Sequence, residues 1–262
     1  TELVQHLPNS LEQAVLEFPI TEAPTPETIA QLNQLVESGH NIAIDHFCGH
    51  QAALPLLQRA GYIKVDIQDV ERARLAAIVE MAHVPVGINV VHNGELVELA
   101  IAVAAGADFI RVCILTGARL WDTGDLDQGC AADLLRRRKD LDAEKIKLFA
   151  DVDKKHSLPF PGLDLETHIE WTEFYRADAL IVSGKMTGDA PPLDKVRRAK
   201  SLATRPILMG SGTTAGNIAG FLEYADGAIV GSSLKVDGVA ENPVDLERVQ
   251  GYMAAVRAVR DG

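Results

Sequence analysis

Cysteine is scarce in this chain: three in 262 residues, Cys48, Cys113 and Cys130. They are widely spaced, odd in number and in no CxxC arrangement. That argues against a disulfide framework or a zinc site and fits a reducing cytoplasm. Basic charge is also short. Lys and Arg total 25 against 37 Asp and Glu, a net charge of −12 with a pI near 5.1. Nucleic acids and anionic membrane surfaces favour basic patches, so neither is expected as a general partner. No apolar run approaches the ~18 residues of a membrane helix, so no integral membrane segment is expected. The first residues, TELVQHLPNSLEQ, lack the basic and apolar regions of a signal peptide. The histidine-rich DHFCGH matches no strict metal motif, and neither a metal ligand set nor a cofactor is assigned.

What is present is a regular alternation. From Asn41 onward, eight apolar β-rich runs are expected as strands: Ile42–Phe47, Ile63–Ile67, Val86–Val91, Phe109–Leu115, Ile146–Val152, Leu180–Ser183, Ile207–Gly210 and Ala228–Gly231. Amphipathic helical stretches lie between them, among them Glu95–Ala105, Cys130–Asp140, Leu165–Tyr175 and Thr214–Tyr224, and Leu246–Val259 closes the series. Strand–helix alternation implies a parallel sheet, and eight units at this length imply closure. The expected fold is α/β, a (β/α)₈ TIM barrel at 41–262. Residues 1–40 form an N-terminal helical extension: Thr25 and Pro26 start a helix that Gly39 ends, while Leu16–Ile20 reads as either a short strand or an apolar lid. Three Ala-Asp steps, at Asp108, Asp178 and Asp226, precede apolar strands and read as turn chemistry at the barrel bottom. Two long irregular stretches, Thr116–Gly129 and Lys154–Asp164, follow strands and belong on the catalytic face, where Trp121 and its acidic neighbours suggest a lid or an oligomer contact.

The densest signal is Arg205–Lys235. Its two strand-like runs stop at Gly210-Ser211-Gly212 and at Gly231-Ser232-Ser233. Small residues at a strand's end leave N–H groups uncovered for an anion. In a TIM barrel this is where the loops after strands 7 and 8 bind phosphate. Two tight turns that require glycine are the competing reading. The other strand ends supply a polar ring. Asp45, Asp66, Asp151, Lys155 and Lys185 are the candidate catalytic groups, as bases, acids or amines, with a carboxylate's pKa raised toward working pH. His46, Asn89, Arg111 and Ser183 are candidate substrate contacts, although a structural ion-pair network competes for Arg111.

The segments PVGINVVHNGELVELAIAVAAGADFIRVCILTGARLWDTG, KLFADVDKKHS, ALIVSGKMTG, PILMGSG and DGAIVGSSLKVDG together resemble the BtpA family, from Pro85 to about Arg257. The resemblance implies a barrel of the ribulose-phosphate-binding type with phosphate after strands 7 and 8. Residues 1–84 depart from the family pattern, and NIAIDHFCGH stands where its first-strand stretch is expected. The leading expectation is an enzyme on a small phosphorylated sugar or phosphoribosyl compound, of isomerase, epimerase, aldolase or lyase type, acting as a homo-oligomer. The alternatives are a non-catalytic assembly factor for a membrane complex, as the family's name implies, and a metal-assisted hydrolase.

Overall fold

The computed structural model describes residues 14–19, 30, 41–45, 62–63, 72–82, 85–90 and 94–260. Among the described residues nine parallel strands form one sheet, in the order β3-β2-β1-β12-β11-β10-β8-β5-β4. They are β1 (Ala14–Pro19), β2 (Asn41–Asp45), β3 (Tyr62–Ile63), β4 (Gly87–Ile88) and β5 (Phe109–Val112). β8 (Lys147–Asp153), β10 (Ala179–Val182), β11 (Ile207–Met209) and β12 (Gly227–Val230) complete it. Helices return the chain between strands, and the sheet curls as a TIM-type α/β barrel. Among the described residues, the two-residue strands β3 and β4 stand at the ends of the sheet.

Each of the eight expected strands overlaps one that is found; β8, β10 and β12 have the expected length, shifted by one residue. A ninth, β1, is added: of the two readings open for Leu16–Ile20, the strand is the one realised. It lies between β12 and β2, with Leu16 opposite both Val230 and Ile42. The segment before residue 40 is therefore partly built into the sheet rather than wholly outside it. Of the helix expected from Pro26 to Gly39, Ala30 is described and is helical, and the rest lies outside the described residues.

The core explains the order. Ile110, Val112, Leu148, Leu180 and Val182 are fully buried in one apolar cluster with the inner faces of the helices, and each such side chain contributes roughly 1.5–3 kcal/mol. At the barrel bottom the three Ala-Asp steps make one repeated staple. Asp108 Oδ2 accepts the Val86 N–H at 2.8 Å, Asp178 Oδ2 that of Leu148 at 2.9 Å, and Asp226 Oδ2 that of Ile207 at 2.8 Å. In return the Asp N–H groups donate to the carbonyls of the same three residues. Each step thus clips the start of one strand to the start of its neighbour.

At the opposite end the two long loops form a small antiparallel sheet. It contains β6 (Ala118–Trp121), β7 (Leu126–Gln128) and β9 (Ser157–Pro159), in the order β7-β6-β9. Trp121 holds it down. Its ring is 5 % exposed, packs with Cys113 and Ile114 beyond the end of β5, and its Nε1 donates to Asp127 Oδ2 at 2.7 Å. Arg119, also buried, donates from Nε to Ser157 Oγ at 2.7 Å and from Nη2 to Asp153 at 3.2 Å. The outer face is apolar. Leu120 stands opposite both Leu126 and Leu158, and all three are exposed. Among the described residues, no helix is long and apolar enough to cross a membrane.

Candidate functional site

A cavity of about 230 Å³ opens where β11 and β12 end. Gly210–Thr213 form one wall and Gly231–Ser233 the other. Arg111, Lys155 and Lys235 add cations, and Thr187, Gly188 and Ala240 close the sides. Among the described lining residues there is no carboxylate and no aromatic ring.

The two small-residue clusters do not spend their backbone N–H groups on each other. Gly210 N–H is bonded, to the Val182 carbonyl at 2.8 Å. The N–H groups of Ser211, Gly212, Thr213, Ser232 and Ser233 have no acceptor among the described residues. Backbone N–H groups are satisfied by protein, water or ligand, so these five residues around one cavity have donors available to an anion. The side chains brace the loops instead. Ser211 Oγ donates to Asp189 O at 3.1 Å and Ser233 Oγ to Thr213 O at 2.6 Å.

Two expectations need correction here. The segment expected as helix Thr214–Tyr224 is helical over Ile218–Leu222. The Asn217 side chain takes the Thr214 N–H at 2.7 Å and donates back to the Gly212 carbonyl at 3.0 Å, so the first turn is replaced by a side-chain loop. So short a helix brings no useful dipole to the cavity. Gly212 has a conformational reason to be glycine. Its φ is +74°, and an added Cβ would overlap the backbone of Asp189 and Ala190. The turn that requires glycine is realised at this position.

The floor is an ion-paired cluster. Asp151, at the end of β8, has no side-chain exposure and accepts Arg111 Nε at 3.0 Å and Nη2 at 2.9 Å. Lys154 Nζ approaches it at 3.5 Å and Ser183 Oγ at 3.4 Å. Burial alone would push the Asp151 carboxyl up, but Arg111 and Lys154 outweigh it and hold the group below its ordinary value. The raised pKa expected for this carboxylate is therefore reversed, because its neighbours are cations rather than other carboxylates. Gly210 lets the cluster reach the cavity: a Cβ there would overlap Ser183 Oγ and stand 3.4 Å from Arg111 Nη2.

The raised carboxyl lies elsewhere. Glu98, in the first turn of helix Glu95–Ala105, is fully buried, and burial first, then Glu95, drive it well above the ordinary range. Its Oε1 accepts the Arg111 N–H at 3.2 Å, and its Oε2 has no hydrogen-bond partner among the described residues. Burial likewise raises Glu95. Neither residue stood out in the sequence, because two glutamates in a helix's first turn read as ordinary dipole chemistry.

Of the remaining expected site residues, Lys155 and Ser232 line the cavity. Asn89 braces β4 on β5, donating to Arg111 O at 3.0 Å. Lys185 is exposed and is not part of the cavity wall. The Asp45 side chain, His46 and Asp66 lie outside the described residues. His156 links the loops around the cavity, joining Asp122 and Thr187 at 2.9 Å each. Lys154 and Lys235 lie within segments quoted from the sequence but were not singled out there, since it is their burial that sets them apart.

Comparison with known proteins sets this geometry in context. In sequence, the chain is 40 % identical over 184 residues to an uncharacterized protein of Thermococcus kodakarensis, covering 70 % of this chain and 69 % of the other. It is 40 % identical over 174 residues to the photosystem I biogenesis protein BtpA of a Synechocystis species, covering 66 % of this chain and 60 % of that protein. In structure it resembles the N-(5'-phosphoribosyl)anthranilate isomerase of Pyrococcus furiosus, with a TM-score of 0.54 at 13 % identity over 84 % of this chain and 99 % of the other. A structure described as native KDPGal matches with a TM-score of 0.52 at 14 % identity, over 98 % and 97 %. At such identities the structural matches establish the TIM-barrel fold alone. Residues 56–258 match the sequence profile of the BtpA family, and with that match over most of its length the chain belongs to the BtpA family.

Proposed function

We propose that this protein is an enzyme acting on a small phosphorylated sugar or phosphoribosyl compound, with the phosphate held between Gly210–Thr213 and Gly231–Ser233. The observation that carries the reading is the set of five N–H groups without acceptors around one cavity. A phosphate offers enough oxygens to take them all, and hydrogen bonds to a charged acceptor are roughly twice as strong as neutral ones. The absence of an aromatic ring among the described lining residues favours an aliphatic, hydroxyl-rich body over a stacked base.

Isomerisation, epimerisation and aldol cleavage all develop negative charge on a carbonyl oxygen. In our reading Arg111 and Lys155 face that charge. Asp151 keeps Arg111 oriented rather than taking a proton itself. Asp45 and Asp66 remain the proposed carboxylate bases, and Lys185 is assigned no role. The alternative, a non-catalytic assembly factor, draws on the exposed row of Leu120, Leu126 and Leu158, which also suits the proposed homo-oligomer. A scaffold has no use for a phosphate cradle. Titrating the wild type and Gly231→Leu with a sugar phosphate and its dephosphorylated sugar separates the two. We expect binding that needs the phosphate and is lost in the variant. Equal affinity for both sugars in the wild type would remove the cradle and favour the scaffold.

A further inference from the structure

Lys235 differs from Arg111, the cavity-wall cation that is ion-paired to Asp151. It is 6 % exposed, yet its side-chain partner among the described residues is a neutral group, the carbonyl oxygen of Ala240. No carboxylate ion-pairs with it among those residues. Buried charges in proteins are normally paired, because an unpaired one loses its hydration without compensation. The backbone around it is tightly fixed. Lys235 forms a bridge with Val244, Val236 N–H donates to Pro243 O at 2.9 Å, and Asn242 Nδ2 donates to Val236 O at 3.0 Å. Two side-by-side strap ends thus hold an ammonium against the same cavity that Ser232 and Ser233 line.

The donors divide into two kinds. The five N–H groups supply dipoles but no net charge, so they serve any anion of suitable shape. Lys235 supplies a full charge that no carboxylate among the described residues counters. We propose that Lys235 makes the cavity selective for a phosphate monoester, the terminal phosphate of a small molecule, over phosphodiesters and other singly charged groups. A monoester carries about −1.5 to −2 at neutral pH, whereas a diester carries −1. The ammonium exchanges the Ala240 carbonyl for a phosphate oxygen, and no proton or covalent bond changes hands. This inference rests on the phosphate reading given above and specifies its ligand.

Phosphorus NMR titration with methyl phosphate and with dimethyl phosphate near neutral pH tests it. Wild type should bind the monoester at least about tenfold more tightly, the range of one hydrogen bond between charged partners. Lys235→Met should bring that ratio close to one, chiefly by losing monoester affinity. Lys235→Arg, which keeps the charge, should retain the ratio and so rules out a folding defect as the cause. A ratio that survives in Lys235→Met would overturn the proposal and leave Lys235 as a latch for the strap. So would a wild-type ratio near one. If wild type binds neither compound, the cradle reading falls and takes this inference with it. If the monoester binds, is lost in Gly231→Leu, and yet the preference survives in Lys235→Met, only the present inference falls.

Discussion

Replacing Asp151 with Asn leaves the shape of the cavity floor almost unchanged and removes its one described negative charge. Arg111 then loses an ionic acceptor held at 2.9 and 3.0 Å, and Lys154 loses one at 3.5 Å. Breaking a buried ion pair from one side costs about 3–5 kcal/mol, because the remaining charge stays buried. The Arg111 side chain keeps 14 % of its exposure, so water relieves part of this, and about 3 kcal/mol is expected. For a domain of this size that lowers Tm by roughly 6–12 °C. Calorimetry or denaturant unfolding of both proteins measures it. The pH dependence supplies a second reading. A carboxyl held low in the fold stabilises above its unfolded pKa, and that contribution drains away as pH falls through the folded value. Wild type should therefore lose stability on the acid side more steeply than Asp151→Asn. A variant within about 0.5 kcal/mol of wild type, with an unchanged acid limb, would refute the ion-paired floor.

Three further outcomes follow from the same structure. Gly212→Ala should destabilise by about 1–3 kcal/mol, since φ is +74° and the new Cβ overlaps backbone, whereas Gly251→Ala, in the open interior of helix Leu246–Arg260, should stabilise by roughly 0.5–1 kcal/mol; matched unfolding curves check both. Glu98→Gln mimics the protonated acid, whose raised folded pKa makes wild-type stability decline as pH rises from the unfolded value toward the folded one. The variant should be more stable than wild type at neutral pH and lose that advantage in acid, and a constant difference across pH would contradict the assignment. Trp121→Phe removes the bond to Asp127 and should speed hydrogen exchange in β6 and β7 while leaving the β10–β11 ladder protected.

The strands and helices were legible because burial imposes period. β10 is buried at all four positions, and a continuous apolar run is how such a strand reads. The Asp staples were legible as turns because the Ala-Asp step recurs before strands. The small sheet β7-β6-β9 was not. Its strands are three or four residues long, and its pairing joins loops some 38 residues apart, as Arg119 to Ser157 shows, which no local pattern encodes. The glycine clusters announced the cavity, but not the close approach at Gly212, which depends on where Ala190 passes. Asp151 was legible as a site residue while its state was not. The sequence places carboxylates at several strand ends, and only the packing reveals that Arg111 and Lys154 are its neighbours. Lys235 and Glu98 owe their character to burial within otherwise ordinary charged stretches, and burial of single polar residues leaves no trace in composition.

The central claim, an anion cradle formed by the two glycine clusters, is tested most directly by a crystal structure of the protein soaked in a phosphorylated sugar. The account predicts phosphate density within hydrogen-bond reach of the N–H groups of Ser211, Gly212, Thr213, Ser232 and Ser233, with the Lys235 ammonium turned from Ala240 toward it. Phosphate bound elsewhere on the barrel, with those five N–H groups still facing solvent, would contradict it.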